Sequence, residues 1–256
     1  MRGLEPGQTL TDALLAPVLA RDPARPLVTY YDDATGERVE LSGATLSNWA
    51  AKTANLLRDE CDLEPGGRVA VLLPAHWQTL AVLLGTWWCD GEVVGSPNGP
   101  DVVCCDVDRL DVARALGAPV VVALSLHSLG AGLADLPTGI VDYATEVRAH
   151  GDVFAPDHPA GAGGPSGAAL AGRSTDEVLT AARAAAARAG LDAGSRALTT
   201  TDWSVADGMV DRLIEIPLAV LAAGGSLVQC RNLDPDTAEA TLDRRAATER
   251  VTHRLG

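Results

Sequence analysis

Lysine is almost absent from this chain: Lys52 is the one example in 256 residues, and the other nineteen basic side chains are arginine. Chemistry that moves a phosphoryl or adenylyl group leans on cations to offset developing negative charge, so the scarcity argues against such activity in its usual form. Abundant alanine beside arginine also fits the codon bias of a GC-rich genome. Positive charge is scarce as a whole. Twenty Lys and Arg against 34 Asp and Glu leave a formal charge of −14 and an isoelectric point near 4.6. That balance repels nucleic acid and anionic membrane surfaces unless a basic patch intervenes. None is visible. Arg244 and Arg245 are the sole adjacent arginine pair, and acidic neighbours make them read as a solvated helix face.

No CxxC pair and no Cys/His ligand spacing occurs among Cys61, Cys89, Cys104, Cys105 and Cys230, so neither a redox pair nor a metal site is expected. Their number is odd, and Met1 to Gln8 lacks the basic and apolar segments of a secretion signal. Reduced, buried thiols in a cytoplasmic protein follow. No run of about eighteen uninterrupted apolar residues exists, which excludes a membrane-spanning helix. Catalytic signatures are missing too. No glycine run precedes Lys52, so there is no Walker A loop. Gly161-x-Gly163 meets Ser166 where a dinucleotide fingerprint needs glycine. Gly164-Pro165-Ser166-Gly167 misses a nucleophile elbow by one position. Ser125, His127 and Ser128 lie together in a loop-like stretch, without an acid partner. No catalytic residue is assigned.

What is present is an ordinary globular composition, 47% hydrophobic and 21% charged, sufficient for a single α/β domain over residues 1–256. Helix and strand signals alternate. Thr11 to Arg21 reads as a helix stopped by Asp22-Pro23. Leu27 to Tyr31 and Arg38 to Leu41 flank a hairpin turn ending in Gly36. Ser42 caps a helix whose apolar face carries Leu46, Trp49, Ala50, Thr53 and Leu57. Arg68 to Leu73 suits a buried strand. The helix from His76 to Asp90 that follows is closed by Gly91 at a left-handed position. Its adjacent Trp87 and Trp88 point to different parts of the helix surface, so at least one meets a neighbouring element.

Further strands are expected at Glu92 to Gly95, Val102 to Cys105 and Pro119 to Ala123, with a helix over about 107–116. Residues 151–173, rich in Gly, Pro, Ala and Ser, read as a loop or linker. A Ser174/Glu177 capping box then opens a helix to Ala189. Leu198 to Thr201, a helix over about 205–223, and Ser226 to Cys230 follow. Asp234-Pro235 opens another helix, and Arg250 to Thr252 is a last short strand. The sum is an α/β fold with a mostly parallel sheet covered by helices.

Arg25-Pro26, the hairpin to Leu41, a helix ending in Leu56-Leu57, and Leu63-Glu64-Pro65-Gly66-Gly67-Arg68-Val69-Ala70-Val71 follow in order. Leu72-Leu73-Pro74 and the helix Leu80 to Gly91 complete the run. This succession resembles the N-terminal region of the adenylate-forming superfamily of acyl-CoA synthetases, luciferases and peptide-synthetase adenylation domains. A second stretch is similar to that family's strand, acidic or aromatic residue, helix and glycine turn. It reads Thr201-Asp202-Trp203-Ser204-Val205, then Leu218 to Gly225 and Ser226-Leu227-Val228.

The resemblance implies ATP or AMP as ligands, and two departures weigh against them. The family's Thr/Ser/Gly-rich phosphate loop ending in Pro-Lys-Gly corresponds here to residues 161–168, which hold neither Thr nor Lys. Gly161, Gly163, Gly164, Ser166 and Gly167 remain as a nucleotide cradle that only backbone amides could supply. The chain also ends at Gly256, ahead of the family's adenine-binding segment and mobile C-terminal domain. Asp202 matches loosely the aspartate that adenylation domains set against a substrate amine. That makes Asp202 and Trp203 candidate pocket walls, with a helix N-cap beside Ser204 as the alternative. The resulting expectation is a non-catalytic binding or regulatory module; the alternative is a split acyl-adenylate ligase completed by a partner. Either a homodimer or a protein partner is expected at the truncated edge.

Overall fold

Residues 8–95, 99–128, 130–155 and 167–256 are described by the computed structural model. The first half of the chain runs α1 (Leu10–Arg21), β1 (Pro26–Asp32), β2 (Glu37–Ser42), α2 (Gly43–Asp59), β3 (Arg68–Leu72), α3 (Trp77–Trp88) and β4 (Glu92–Val94). Next come β5 (Val102–Asp106), α4 (Leu110–Ala115), β6 (Val120–Leu124), β7 (Ile140–Asp142) and α5 (Tyr143–Glu146). The remainder is β8 (Ala168–Leu170), β9 (Arg173–Ser174), α6 (Thr175–Arg188), β10 (Arg196–Thr199), α7 (Val210–Leu213), α8 (Ala219–Ala222), β11 (Ser226–Arg231), α9 (Ala238–Thr248) and β12 (His253–Leu255).

The strands form two sheets, ordered β12-β10-β11-β1-β2 and β7-β6-β5-β3-β4-β8-β9. Among the described residues every pairing is parallel except β1 with β2 and β8 with β9. Strand side chains alternate between faces, and the apolar sequence supplies both. Along β3, Val69 and Val71 enter the central core while Ala70 and Leu72 enter a separate outer cluster. Along β5, Val102 and Cys104 face inward and Val103 and Cys105 outward. Leu227 of β11 is central, whereas Val228 and Cys230 meet Leu242 and Ala246 of α9. The layers are therefore α4, the second sheet, the central helices α1, α2, α3, α6 and α8, the first sheet, and α9. Helices α2 and α3 approach closely because Gly85 has no side chain; a Cβ there would stand 2.8 Å from Thr53 Cβ. All five cysteines are buried, and burial pushes the Cys61 and Cys105 thiols up to about 12.

Several local readings are corrected. The left-handed residue closing α3 is Asp90 (φ 57°) rather than Gly91. Gly91 instead suits a tight site, since a Cβ there would meet Thr86 O at 3.1 Å. The helix expected over 205–223 is broken into a turn at 205–208, α7, a π-helical Ile214–Leu218, and α8. Pro217 lies in the π segment; it offers no N–H and its ring crowds the preceding turn, which the wider coil relieves. Asp234-Pro235 does not open α9. Asp234 instead accepts from Asp236 N (3.0 Å) in a turn, and the helix begins at Ala238.

The last strand falls at 253–255, because Arg250 is left-handed (φ 53°) and Val251 packs against the α9 layer. The far end of the expected linker is strand: Leu170 pairs with Val93, and Trp87 Nε1 donates to Ala169 O (2.8 Å). Gly161, Gly163, Gly164 and Ser166 lie outside the described residues. Gly167 is described, with φ +40° and open space around its Cα.

Candidate functional site

From β3 the chain passes through α3 on the inner face to β4. From β5 it passes through α4 on the outer face to β6, on the opposite side. A reversal of this kind puts the usual ligand crevice of open α/β sheets beyond the carboxyl ends of the two strands, here β3 and β5. Residues 73–76, Asp106 to Arg109, and the 200–209 loop after β10 converge there. The last of these arrives from the other sheet.

Asp202 is the joint. Its Oδ1 accepts from Ala75 N (3.0 Å), Trp203 N (2.7 Å) and Ser204 N (3.1 Å), and its Oδ2 lies 3.9 Å from Arg231 Nη2. One carboxylate thus ties β10, β11 and the loop after β3 together. No helix starts at that position, since α7 begins at Val210. Farther along the turn, Arg109 Nη2 donates to Asp207 Oδ2 (2.8 Å). Between these anchors, a Cβ on residue 95 would stand 2.5 Å from Val205 O, so glycine is what lets the end of β4 touch the turn. Trp203 is buried beneath the turn, its Nε1 donating to Gln229 Oε1 (2.8 Å), while Gln229 Nε2 donates to Thr201 O (3.3 Å). Asp202 therefore reaches the crevice surface and the Trp203 indole does not.

Below Arg231 lies a buried polar cluster that motif reading missed. Asp32 and Glu37 face each other across the β1–β2 hairpin, and Asn232 Nδ2 donates to both Asp32 oxygens (2.9 and 3.0 Å). Tyr30 donates to Asp32 Oδ2 (3.3 Å) and meets the His76 ring edge-on at 4.4 Å. His76 Nδ1 accepts from Gln78 N, capping α3, so its proton sits on Nε2. That nitrogen is 4.0 Å from Glu37 Oε1. Among the described residues, His76 Nε2 is buried without a hydrogen-bond partner. The His76 N–H thus stands beside the Glu37 carboxylate with spare bonding capacity. Burial, then the charge of Asp32, raises the Glu37 carboxyl above its usual range. Burial, then the charge of Arg231, lowers His76 to about 3 and keeps it neutral. Only the hairpin and a helix starting near His76 were visible in sequence, and His76 proves to be the cap of α3 rather than a member of its first turn; their meeting depends on how the sheets pack.

Lys52 takes no part. It is committed to the segment after α5, donating to His150 O (2.5 Å) and pairing with Asp152 (2.9 Å). Among the described residues no group of three or more His, Cys, Asp and Glu is placed to hold a metal ion, and no helix is long and apolar enough to cross a membrane.

The chain is 50% identical over 252 residues to a Mycobacterium tuberculosis protein described as a TIGR03089 family protein, the match taking in 96% of this chain and 98% of that one. The chain belongs to the TIGR03089 family. No protein-family model matches it. In three dimensions this family member is similar to an acyl-CoA synthetase from Brucella canis, with a TM-score of 0.75 and 19% identity. It is also similar to the acetoacetyl-CoA synthetase from Streptomyces lividans, with a TM-score of 0.70 and 20% identity. Each match takes in 96% of this chain but only 47% and 42% of the respective synthetase. The chain thus has the fold of the N-terminal portion of an acyl-CoA synthetase and spans less than half the length of those enzymes.

Proposed function

We propose that the chain is a non-catalytic binding module on an acyl-CoA synthetase-like framework, taking a small polar ligand at the strand-end crevice around Asp202 and Arg231. The observation that carries this reading is the commitment of the cations. Joining a carboxylate to ATP brings two anions together, and positive groups must offset that repulsion. Lys52 is held elsewhere and Arg109 is neutralised by Asp207. A nest of backbone amides at Gly161, Gly163, Gly164, Ser166 and Gly167 would bring no full charge to a triphosphate.

A binding role is supported by the same geometry. Asp202 Oδ2 and Arg231 present opposite charges 3.9 Å apart at the crevice mouth, a loose pair that a small zwitterion can bridge. The polar groups beneath already satisfy Asp202 Oδ1, which holds the carboxylate in place. The test is ATP–pyrophosphate exchange with a panel of carboxylates. Exchange at background level is expected; exchange above it by the isolated protein overturns the non-catalytic reading. A thermal-shift panel of amino acids, AMP, ATP, CoA and fatty acids then identifies the ligand class, because native-state binding raises the melting temperature.

A further inference from the structure

A second recess lies at the opposite, amino-terminal ends of the first sheet. Val18 and Leu27 supply apolar walls, Gly224 and Gly225 the rim, and Arg21 and Arg25 the charge. Both arginines serve one atom: Arg21 Nη1 and Arg25 Nη1 donate to Ala193 O at 2.8 and 2.6 Å. That carbonyl is presented by a locked turn, in which Asp192 Oδ1 accepts from Gly194 N (2.8 Å) and Ser195 Oγ (2.9 Å). Among the described residues neither guanidinium has a carboxylate partner. Asp22, the carboxylate in the lining, is turned to its own loop, where Oδ1 accepts from Ala24 N (3.1 Å).

Two like charges drawn to one neutral oxygen repel each other, and each guanidinium keeps unused donors in its fork. A carbonyl oxygen offers partial charge and two lone pairs; a tetrahedral oxyanion offers full charge and several oxygens in the geometry a guanidinium fork matches. We propose that this recess binds a compact oxyanion of the phosphate class between Arg21 and Arg25. The chain's charge of −14 opposes anion capture at long range, so the binding is local, modest and sensitive to salt. It is independent of the crevice around Asp202, which lies at the other ends of the strands.

The experiment is a titration followed by thermal shift and 31P NMR line broadening, with inorganic phosphate and with glycerol 3-phosphate. Sodium chloride at matched ionic strength is the control, and wild type is compared with Arg21→Gln/Arg25→Gln. Wild type is expected to respond to phosphate beyond the chloride control, and the folded double variant to bind at least about 5-fold more weakly. A tighter response to glycerol 3-phosphate assigns the site to phosphate monoesters, and a tighter response to phosphate to the free ion; both support it. No response in wild type, or an equal response in the variant, overturns it. Should the double variant not fold, exposed Arg21→Gln alone carries the same comparison.

Discussion

Asp202 holds the crevice through three backbone amides on one oxygen, so charge and anchoring can be separated at this residue. Asp202→Ala leaves those amides without their acceptor and is expected to cost about 1–3 kcal/mol in urea denaturation. Asp202→Asn retains an oxygen and should recover most of that loss while abolishing the charge opposite Arg231. Equal stability of the alanine variant and wild type would show that the anchor is not needed. Gly95→Ala places a methyl against Val205 O and is expected to destabilise by about 1–3 kcal/mol, with a change in tryptophan fluorescence as the turn over Trp203 shifts.

Acid sensitivity is a residue-scale property with two windows. His76 titrates near 3 when folded, against an ordinary 6.5, so the unfolded chain binds a proton the native one does not. Stability from this source is complete above about pH 6.5 and falls as pH drops toward 3. Burial would raise Glu249, yet hydrogen bonds from Tyr31 (2.5 Å), Arg196 (2.5 Å) and Arg38 (2.9 Å) outweigh it and hold the carboxyl at about 2, against an ordinary 4.5. Its contribution is complete above about pH 4.5 and is lost as pH falls toward 2. His76→Asn keeps a capping oxygen and should remove the upper window alone. Glu249→Gln should remove the lower one and cost about 3 kcal/mol at neutral pH. Denaturant midpoints measured from pH 7 to 3 check both; a His76→Asn curve parallel to wild type contradicts the first.

At the scale of elements, legibility followed the range of the forces. Ser42 and the Ser174/Glu177 box marked the starts of α2 and α6 because a cap bonds within three residues of itself. The valine-rich runs of β3 and β6 were readable because burial on both faces leaves a continuous apolar stretch. Asp234-Pro235 has the composition of a helix start, but the bond Asp234 makes is to Asp236 N within a turn. Short β8, in a stretch that reads as linker, exists because β4 and Trp87 give its backbone partners. The 205–208 turn was hidden for the same reason: its anchors, Ala75 and Arg109, lie far away in sequence. One element-scale prediction follows from the π segment. Pro217→Ala restores an N–H and should let Ile214–Leu218 tighten toward an α-helix, leaving stability within about 1 kcal/mol of wild type, as judged by denaturation and amide exchange.

At the scale of the molecule, five layers bury the apolar faces of both sheets and leave their edge strands at the rim. Edge strand β2 carries the exposed Arg38 and Glu40, charges that discourage further pairing there. The other edge of that sheet is β12, only three residues long. We propose that a second copy or another protein covers the β12 edge, because an edge strand offers unpaired backbone N–H and C=O groups. Light scattering at micromolar concentration is expected to give more than the 26.4 kDa of one chain, and a monomer rules out the self-associating form.

The sequence alone determined the alternation of helices and strands, the likeness of its first and last thirds to adenylate-forming enzymes, and the poverty of cations. These rest on local pattern and composition, which neighbouring residues carry between them. Tertiary structure alone decided that Asp202 reaches from one sheet to the other, and that Glu37 and His76 share a buried corner. It also decided that Arg21 and Arg25 meet over one carbonyl. Each is a contact between residues remote in the chain, fixed by how two sheets pack on a common layer of helices, and no local pattern encodes that packing.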